Sequence, residues 1–222
     1  MTEPTDTKTD RCRLVLIAPP GAGNGFADAL AAALAAGDVA SLILPRYDLD
    51  DDAFQALAER VVPLAQEKGV AAIIAGDTRV AGRVKADGIH VEGGGRQALA
   101  DAVERHAGKM IVGAGGAKTR DDALELGEEQ PDYIFFGRFG YDNKPEPHLR
   151  NLTLGGWWAE MISIPCIVLG GTDTASVSDV AATGAEFVAL SAAVFGEGRN
   201  PAAEVARANA LLDRQVARAG AD

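Results

Sequence analysis

Two short apolar runs, each ending in residues small enough for a ligand to touch the backbone, carry the clearest chemical signal in this chain. One is Ile164-Pro165-Cys166-Ile167-Val168-Leu169-Gly170-Gly171-Thr172; the other, in the next unit, runs from Gly184 to Ala193 and ends Leu190-Ser191-Ala192-Ala193. Adjacent parallel strands that end this way turn several N–H groups toward one point. A helix that begins after Ser191 adds its dipole, so the pair suits a bound anion. In (β/α)8 barrels a phosphate site commonly follows the seventh and eighth strands. Gly170, Gly171, Ser191 and Ala192 are therefore candidate ligands of a phosphorylated small molecule.

Such a site needs a frame of parallel strands, and the chain supplies one. Short Val/Ile/Leu-rich runs at Arg13–Ala18, Ala40–Leu44, Ala71–Ala75, Gly88–Val91, Met110–Gly113, Tyr133–Phe136, Cys166–Leu169 and Phe187–Leu190 read as strands covered on both faces. Helical patterns alternate with them at Phe26–Ala36, Asp51–Lys68, Asp77–Val84, Arg96–His106, Thr119–Glu128, Gly155–Met161, Ser176–Thr183 and Ala202–Ala217. Asp50, Thr119 and either Thr174 or Ser176 suit N-caps, and Asp51, Asp52, Asp121 and Asp122 suit first turns. Repeated β-then-α units predict a parallel sheet with right-handed crossovers. Eight strands favour closure into a single-domain (β/α)8 TIM barrel over an open sheet. The polar residues 1–10 read as a disordered tail, leaving 11–222 for the barrel.

Composition narrows the partners. The 222 residues are 47% hydrophobic, which excludes a chain disordered by composition. A formal charge of −11 argues against nucleic acid or an anionic membrane as a bulk partner. A small anionic ligand needs only a local positive site. No apolar run reaches membrane-span length and the start of the chain lacks a signal-peptide core, so a cytoplasmic protein is expected. Cys12 and Cys166 have neither metal nor redox spacing and read as inert thiols.

The connection after the sixth strand, Gly137 to Asn151, is long and rich in turn formers, charges and aromatics, as lids and binding loops are. Pro19 to Phe26 lacks both the Gly-Lys-Ser/Thr of a P-loop and dinucleotide glycine spacing, and reads as a flexible loop. Gly93–Gly95 is a weak anion cradle. His90 falls inside a strand and suits a structural place in the barrel interior; His106 ends a helix. His148, in the long loop, is the remaining candidate acid or base.

With the strands placed, several segments resemble the thiamine-phosphate synthase and thiazole tautomerase family of TIM barrels. Lys85-Ala86-Asp87-Gly88-Ile89-His90-Val91 is similar to the family's "GADGVHL", and Pro131-Asp132-Tyr133-Ile134-Phe135-Phe136-Gly137 to "ADYIGFGP". The opening pair resembles "IPVVAIGGI" and "GADGVAVVSAI". The matches follow the family's order over roughly residues 12–196. The resemblance implies a transferase of thiamine biosynthesis that joins a pyrimidine diphosphate to a thiazole phosphate, releasing pyrophosphate. It also implies magnesium to neutralise the diphosphate, basic side chains to hold it and backbone N–H groups to seat the phosphate. Thr172, in an apolar position of the family, adds a hydroxyl donor to that seat. Association into a homodimer is implied as well. One of Trp157 and Trp158 would pack into the barrel wall and the other would serve the subunit contact.

Elsewhere the motifs depart. For the family's "QLR-K" the chain has Leu44-Pro45-Arg46-Tyr47-Asp48, leaving Arg46 as a shifted diphosphate base. For "NDR" it has Gly76-Asp77-Thr78-Arg79, with Asp77 as metal candidate and Arg79 as base. For "GQED" it has Glu92 followed by glycines, a second metal candidate out of register. For "T-TK" it has Asp142-Asn143-Lys144, keeping only the lysine, and Arg138 replaces the tautomerase histidine. Lys144, Arg46 and Arg79 are thus the expected catalytic bases. The competing reading is a non-synthase barrel that binds a phosphorylated ligand, either without catalysis or with tautomerase-like chemistry.

Overall fold

A computed structural model describes residues 11–23, 25–93 and 95–219; the expected disordered tail, residues 1–10, lies outside the described residues. Eight strands form where the apolar runs predicted them: β1 (Arg13–Ile17), β2 (Ser41–Pro45), β3 (Ala71–Ala75), β4 (Gly88–Glu92), β5 (Ile111–Gly115), β6 (Tyr133–Phe136), β7 (Cys166–Leu169) and β8 (Phe187–Leu190). All pair in parallel and in chain order, and β8 returns to β1 with Leu14 opposite Val188, closing the barrel. The helices are α1 (Phe26–Leu34), α2 (Asp51–Glu67), α3 (Thr78–Val84), α4 (Gly95–His106), α5 (Arg120–Gly127), α6 (Leu149–Met161), α7 (Val177–Ala181), α8 (Ala192–Phe195) and α9 (Pro201–Ala219). The expected (β/α)8 barrel is the observed fold. Among the described residues no helix is long and apolar enough to cross a membrane.

Strand alternation divides the core into two. Val15, Ile17, Ile43, Ile73, Tyr133, Phe135, Ile167, Leu169 and Ala189 fill the barrel, while Leu14, Leu16, Leu42, Leu44, Ile74, Ile134 and Val188 face the helices. The interior is packed unevenly. β5 presents glycines there because its neighbours bring large rings: a Cβ on Gly113 would overlap the Tyr133 ring, and one on Gly115 would come within 2.8 Å of His90 Nε2.

Three acids just ahead of even-numbered strands staple the other end of the barrel. Asp87 accepts from the Ala72 N–H of β3 at 2.8 Å, Asp132 from the Val112 N–H of β5 at 2.7 Å, and Glu186 from the Cys166 N–H of β7 at 2.9 Å. The Asp of Lys85-Ala86-Asp87-Gly88 is thus structural, on the face opposite the strand C-termini. Helix starts also follow local chemistry. Asp50 accepts from the Ala53 N–H at 2.8 Å, and Thr119 forms a capping box with Asp122.

Two boundaries differ from the sequence expectation. The long connection ends at His148, whose Nδ1 accepts from the Arg150 N–H at 3.2 Å, so α6 begins at Leu149 rather than near Gly155. Gly155 is helical and small because a Cβ there would overlap Val168 of β7. After β7, Ser176 takes the expected N-cap position of α7 but makes no cap bond through its side chain. Asp173 caps a 3-10 turn over Thr174–Ser176, accepting from the Ala175 N–H at 2.9 Å. Trp158 is the wall tryptophan: fully buried, it donates its indole N–H to the Ile164 carbonyl at 2.7 Å. Trp157 packs on it at 5.9 Å between ring centroids, with the Arg120 guanidinium 4.9 Å from its own centroid.

Candidate active site

Every candidate residue lies at the C-terminal ends of the strands, the face on which barrel active sites are built. Arg46 follows β2, Asp77 and Arg79 follow β3, Glu92 ends β4, Lys144 lies in the β6–α6 connection, Gly170 to Thr172 follow β7, and Ser191 and Ala192 follow β8. They gather in two sectors.

The sector over β2 to β4 is basic and ion-paired. Arg46 donates through Nε to the Leu49 carbonyl at 3.0 Å and pairs with Asp51 at 2.6 Å and Asp77 at 3.6 Å. Arg79 bridges the same two acids at 3.6 and 3.4 Å. Asp77 anchors this network. Its Oδ1 caps α3, accepting from the Arg79 and Val80 N–H groups at 2.9 and 3.2 Å, and its side chain is only 6% exposed. Desolvation pushes its carboxyl up, but those N–H groups and the Arg79 guanidinium outweigh it and hold Asp77 below the ordinary carboxylate range. Arg46, Asp77, Arg79 and Glu92, with the helix-facing Ile74 and Ile89 and the α4 residues Asp101 and Arg105, line a cavity of about 530 Å3 between the β3–β4 wall and α4. A second, of about 450 Å3, shares Arg46 and Glu92 and adds Tyr47, Arg138 and Phe139.

Asp77 and Glu92 therefore face one space, but they do not make a two-carboxylate magnesium site. Magnesium requires near-octahedral, uncommitted oxygens. One Asp77 oxygen serves the helix cap, and the other faces two guanidinium groups that oppose a dication. Glu92 is pushed above the ordinary carboxylate range by desolvation, with Arg138 pulling it down. Among the described residues no three His, Cys, Asp or Glu side chains gather as a metal cluster. As they stand, Asp77 is engaged by the α3 cap and two guanidinium groups, and Glu92 lies near Arg138.

The sector over β6 to β8 is the expected phosphate seat, and its N–H groups are occupied from within the chain. Gly170 donates to the Ala189 carbonyl at 2.9 Å, Gly171 to Ser176 Oγ at 2.9 Å and Thr172 to the Lys144 carbonyl at 2.7 Å. The Ala192 N–H donates to Asp142 Oδ2 at 2.6 Å. Ser191 is 2% exposed, and its hydroxyl has no hydrogen-bond partner among the described residues. Lys144 is exposed, and its ammonium enters no ion pair among the described residues.

His90 has the structural place expected. It is buried inside the barrel with Nδ1 3.0 Å from the Tyr133 hydroxyl, and Phe135 and Phe139 pack against its ring. His148, the candidate acid or base of the long loop, is exposed and caps α6 through Nδ1. Sequence reasoning passed over Arg138 as a site base, although it stands two residues beyond β6, where side chains reach the barrel mouth. Its guanidinium lies 3.8 Å from the Tyr141 ring centroid and beside Glu92. Ser176 and Asp142 were missed as partners of the Gly171 and Ala192 N–H groups. The first acts across a turn and the second from fifty residues away in sequence.

Comparison with known proteins identifies the family. A family model described as thiamine monophosphate synthase matches residues 14–194. The chain is 36% identical over 208 residues to a thiamine-phosphate synthase of Rhodospirillum centenum, covering 90% of this chain and 98% of that one. It is 33% identical over 218 residues to one of Hyphomonas neptunium, covering 94% and 98%. Among solved structures, a thiamine phosphate pyrophosphorylase from Pyrococcus furiosus superposes with a TM-score of 0.77 at 19% identity, covering 93% of this chain and 98% of that one, a likeness of fold. By sequence and architecture together, the chain belongs to the thiamine monophosphate synthase family.

Proposed function

We propose that the chain catalyses the family reaction, joining hydroxymethylpyrimidine diphosphate to thiazole phosphate to give thiamine monophosphate and pyrophosphate. The observation that carries this reading is the division of one barrel mouth into two poles. Guanidinium groups of Arg46, Arg79 and Arg138 stand over β2, β3 and β6, and the small residues Gly170, Gly171, Ser191 and Ala192 stand over β7 and β8. The reaction breaks the bond from the pyrimidine methylene to the diphosphate oxygen, which leaves with the electron pair, and forms a bond from that methylene to the thiazole nitrogen. No proton donor to the leaving group is required if fixed positive charge meets the developing negative charge, the largest common source of rate enhancement.

Arg46 and Arg79 are available for that work despite their ion pairs. Asp51, their shared outer partner, is 61% exposed, and such surface pairs are worth about 0–1 kcal/mol. A diphosphate can take its place at little cost, while the half-buried Asp77 keeps both guanidinium groups at the ends of β2 and β3. Lys144, exposed on the β6–α6 connection and in no ion pair among the described residues, is the further base of this reading. Thiazole phosphate occupies the β7–β8 pole, with Thr172 and the Ser191 hydroxyl as further donors.

The test is turnover: purified protein with both precursors and magnesium, followed by chromatography of thiamine monophosphate and pyrophosphate. One-to-one product formation is expected, reduced at least about a hundredfold in Arg46→Ala if that guanidinium stabilises the leaving group. Binding of thiazole phosphate without turnover would favour the non-synthase barrel.

A further inference from the structure

The β6–α6 connection is tied across the phosphate pole by three contacts from consecutive stretches of loop. Asp142 Oδ2 takes the Ala192 N–H at 2.6 Å, the Lys144 carbonyl takes the Thr172 N–H at 2.7 Å, and the Pro145 carbonyl takes the Asp173 N–H at 3.3 Å. Gly171 lies directly beneath, where a Cβ would overlap the Pro145 carbonyl. The loop therefore lies on the seat itself.

One of these contacts differs in kind from the others. A carbonyl is neutral, whereas the Asp142 carboxylate is an oxyanion bonded where a phosphate oxygen would bond. Asp142 is half-buried and forms no salt bridge among the described residues. On the residue before Ala192, the Ser191 hydroxyl is fully buried with no partner among the described residues, a donor without an acceptor. A desolvated carboxylate without a cation, next to an unsatisfied hydroxyl, is an arrangement that an incoming anion improves twice. Asp142 regains water, and Ser191 gains a bond.

We propose that Asp142 is a built-in competitor for the phosphate seat: it holds the Ala192 N–H in the free protein, and a ligand enters by displacing it. The inference rests on the phosphate-seat reading above and adds a specificity rule to it. A dianionic phosphomonoester offers three acceptor oxygens against the two of Asp142, and it uses the Ser191 hydroxyl. A ligand that presents only a carboxylate gains little over the residue it must expel. Asp142 thereby sets which anions the seat accepts.

The test uses the full chain and two probes, inorganic phosphate and acetate, with Kd from calorimetry and the Ala192 amide resonance as the local reporter. Asp142→Asn keeps the shape and removes the charge; Asp142→Ala removes both. Both variants are expected to bind phosphate about tenfold tighter or more than the parent chain, in line with loss of a charged hydrogen-bonding competitor. The Ala192 amide should shift on titration, and acetate binding should appear only in the variants. Ser191→Ala in the Asp142→Ala background should weaken phosphate severalfold. Equal phosphate affinity in parent and variants, with Ala192 shifting in all, would overturn the competitor while leaving the seat in place. No phosphate binding in any of them, with the Ala192 amide unmoved, would overturn the seat and the competitor with it.

Discussion

Acidification should destabilise this barrel through one imidazole. His90 is 3% exposed, bonded through Nδ1 to the Tyr133 hydroxyl and enclosed by Tyr133, Phe135 and Phe139, while its Nε2 has no partner among the described residues. Burial pushes its pKa down to about 3 from 6.5. The sign follows from proton counting. Between those values the unfolded chain holds a proton that the folded chain does not, so stability is fully present above 6.5 and is lost as pH falls toward 3. The slope approaches about 1.4 kcal/mol per pH unit, which makes the loss between pH 7 and pH 4.5 about 2.5 kcal/mol. That is a large share of the ~5–15 kcal/mol typical of a domain.

Other groups do not imitate this signal. The raised carboxyls of Glu92 and Asp142 act with the opposite sign, and the lowered Asp38, Asp77 and Asp122 lose their contribution only in more acid solution. His90→Asn keeps an amide near the Nδ1 position, within reach of Tyr133, and removes the titration. Urea denaturation of both proteins at pH 7 and 4.5 should show the variant curve flatter by about 2.5 kcal/mol, whatever its constant cost in packing. Parallel pH dependences, within about 0.5 kcal/mol, would show that His90 is not held neutral and that the barrel interior is wetter than its packing implies.

Further outcomes follow from the same packing. Gly113→Ala should destabilise by about 1–3 kcal/mol or more, because its Cβ falls inside the Tyr133 ring; Tyr133→Ala in the same chain should relieve that clash, and a single variant as stable as the parent would contradict the interior described. Burial pushes the Cys12 thiol up to about 12 and Cys166 higher still. Ellman's reagent at pH 8 should therefore label neither in the native protein and both in urea, whereas rapid labelling of either in the native state would contradict their burial.

The barrel was legible because its strands are short, apolar and regularly spaced, and because helix starts such as Asp50 and Thr119 are local in sequence. What was not legible depends on contacts made at a distance. Gly155 looked like a helix boundary, yet its size answers to Val168 across the α6–β7 contact. Asp77 was a metal candidate by resemblance to the acid of the family's "NDR" motif. Only the backbone shows that one of its oxygens caps α3. Asp142, in a run of turn-forming residues, gave no sign that it meets Ala192 across the barrel mouth. Motif matching put the candidate residues at the ends of their strands, but could not show the internal partners that several of them already hold.

The division of the mouth into a diphosphate pole and a phosphate pole is tested most directly by the Michaelis constants of the two substrates, measured separately in two variants. Arg46→Ala should raise KM for the pyrimidine diphosphate and leave that for thiazole phosphate within about twofold, whereas Ser191→Ala should do the reverse. If both constants move together in each variant, or if the parent chain forms no thiamine monophosphate from the two substrates, the two poles do not divide the reaction as proposed.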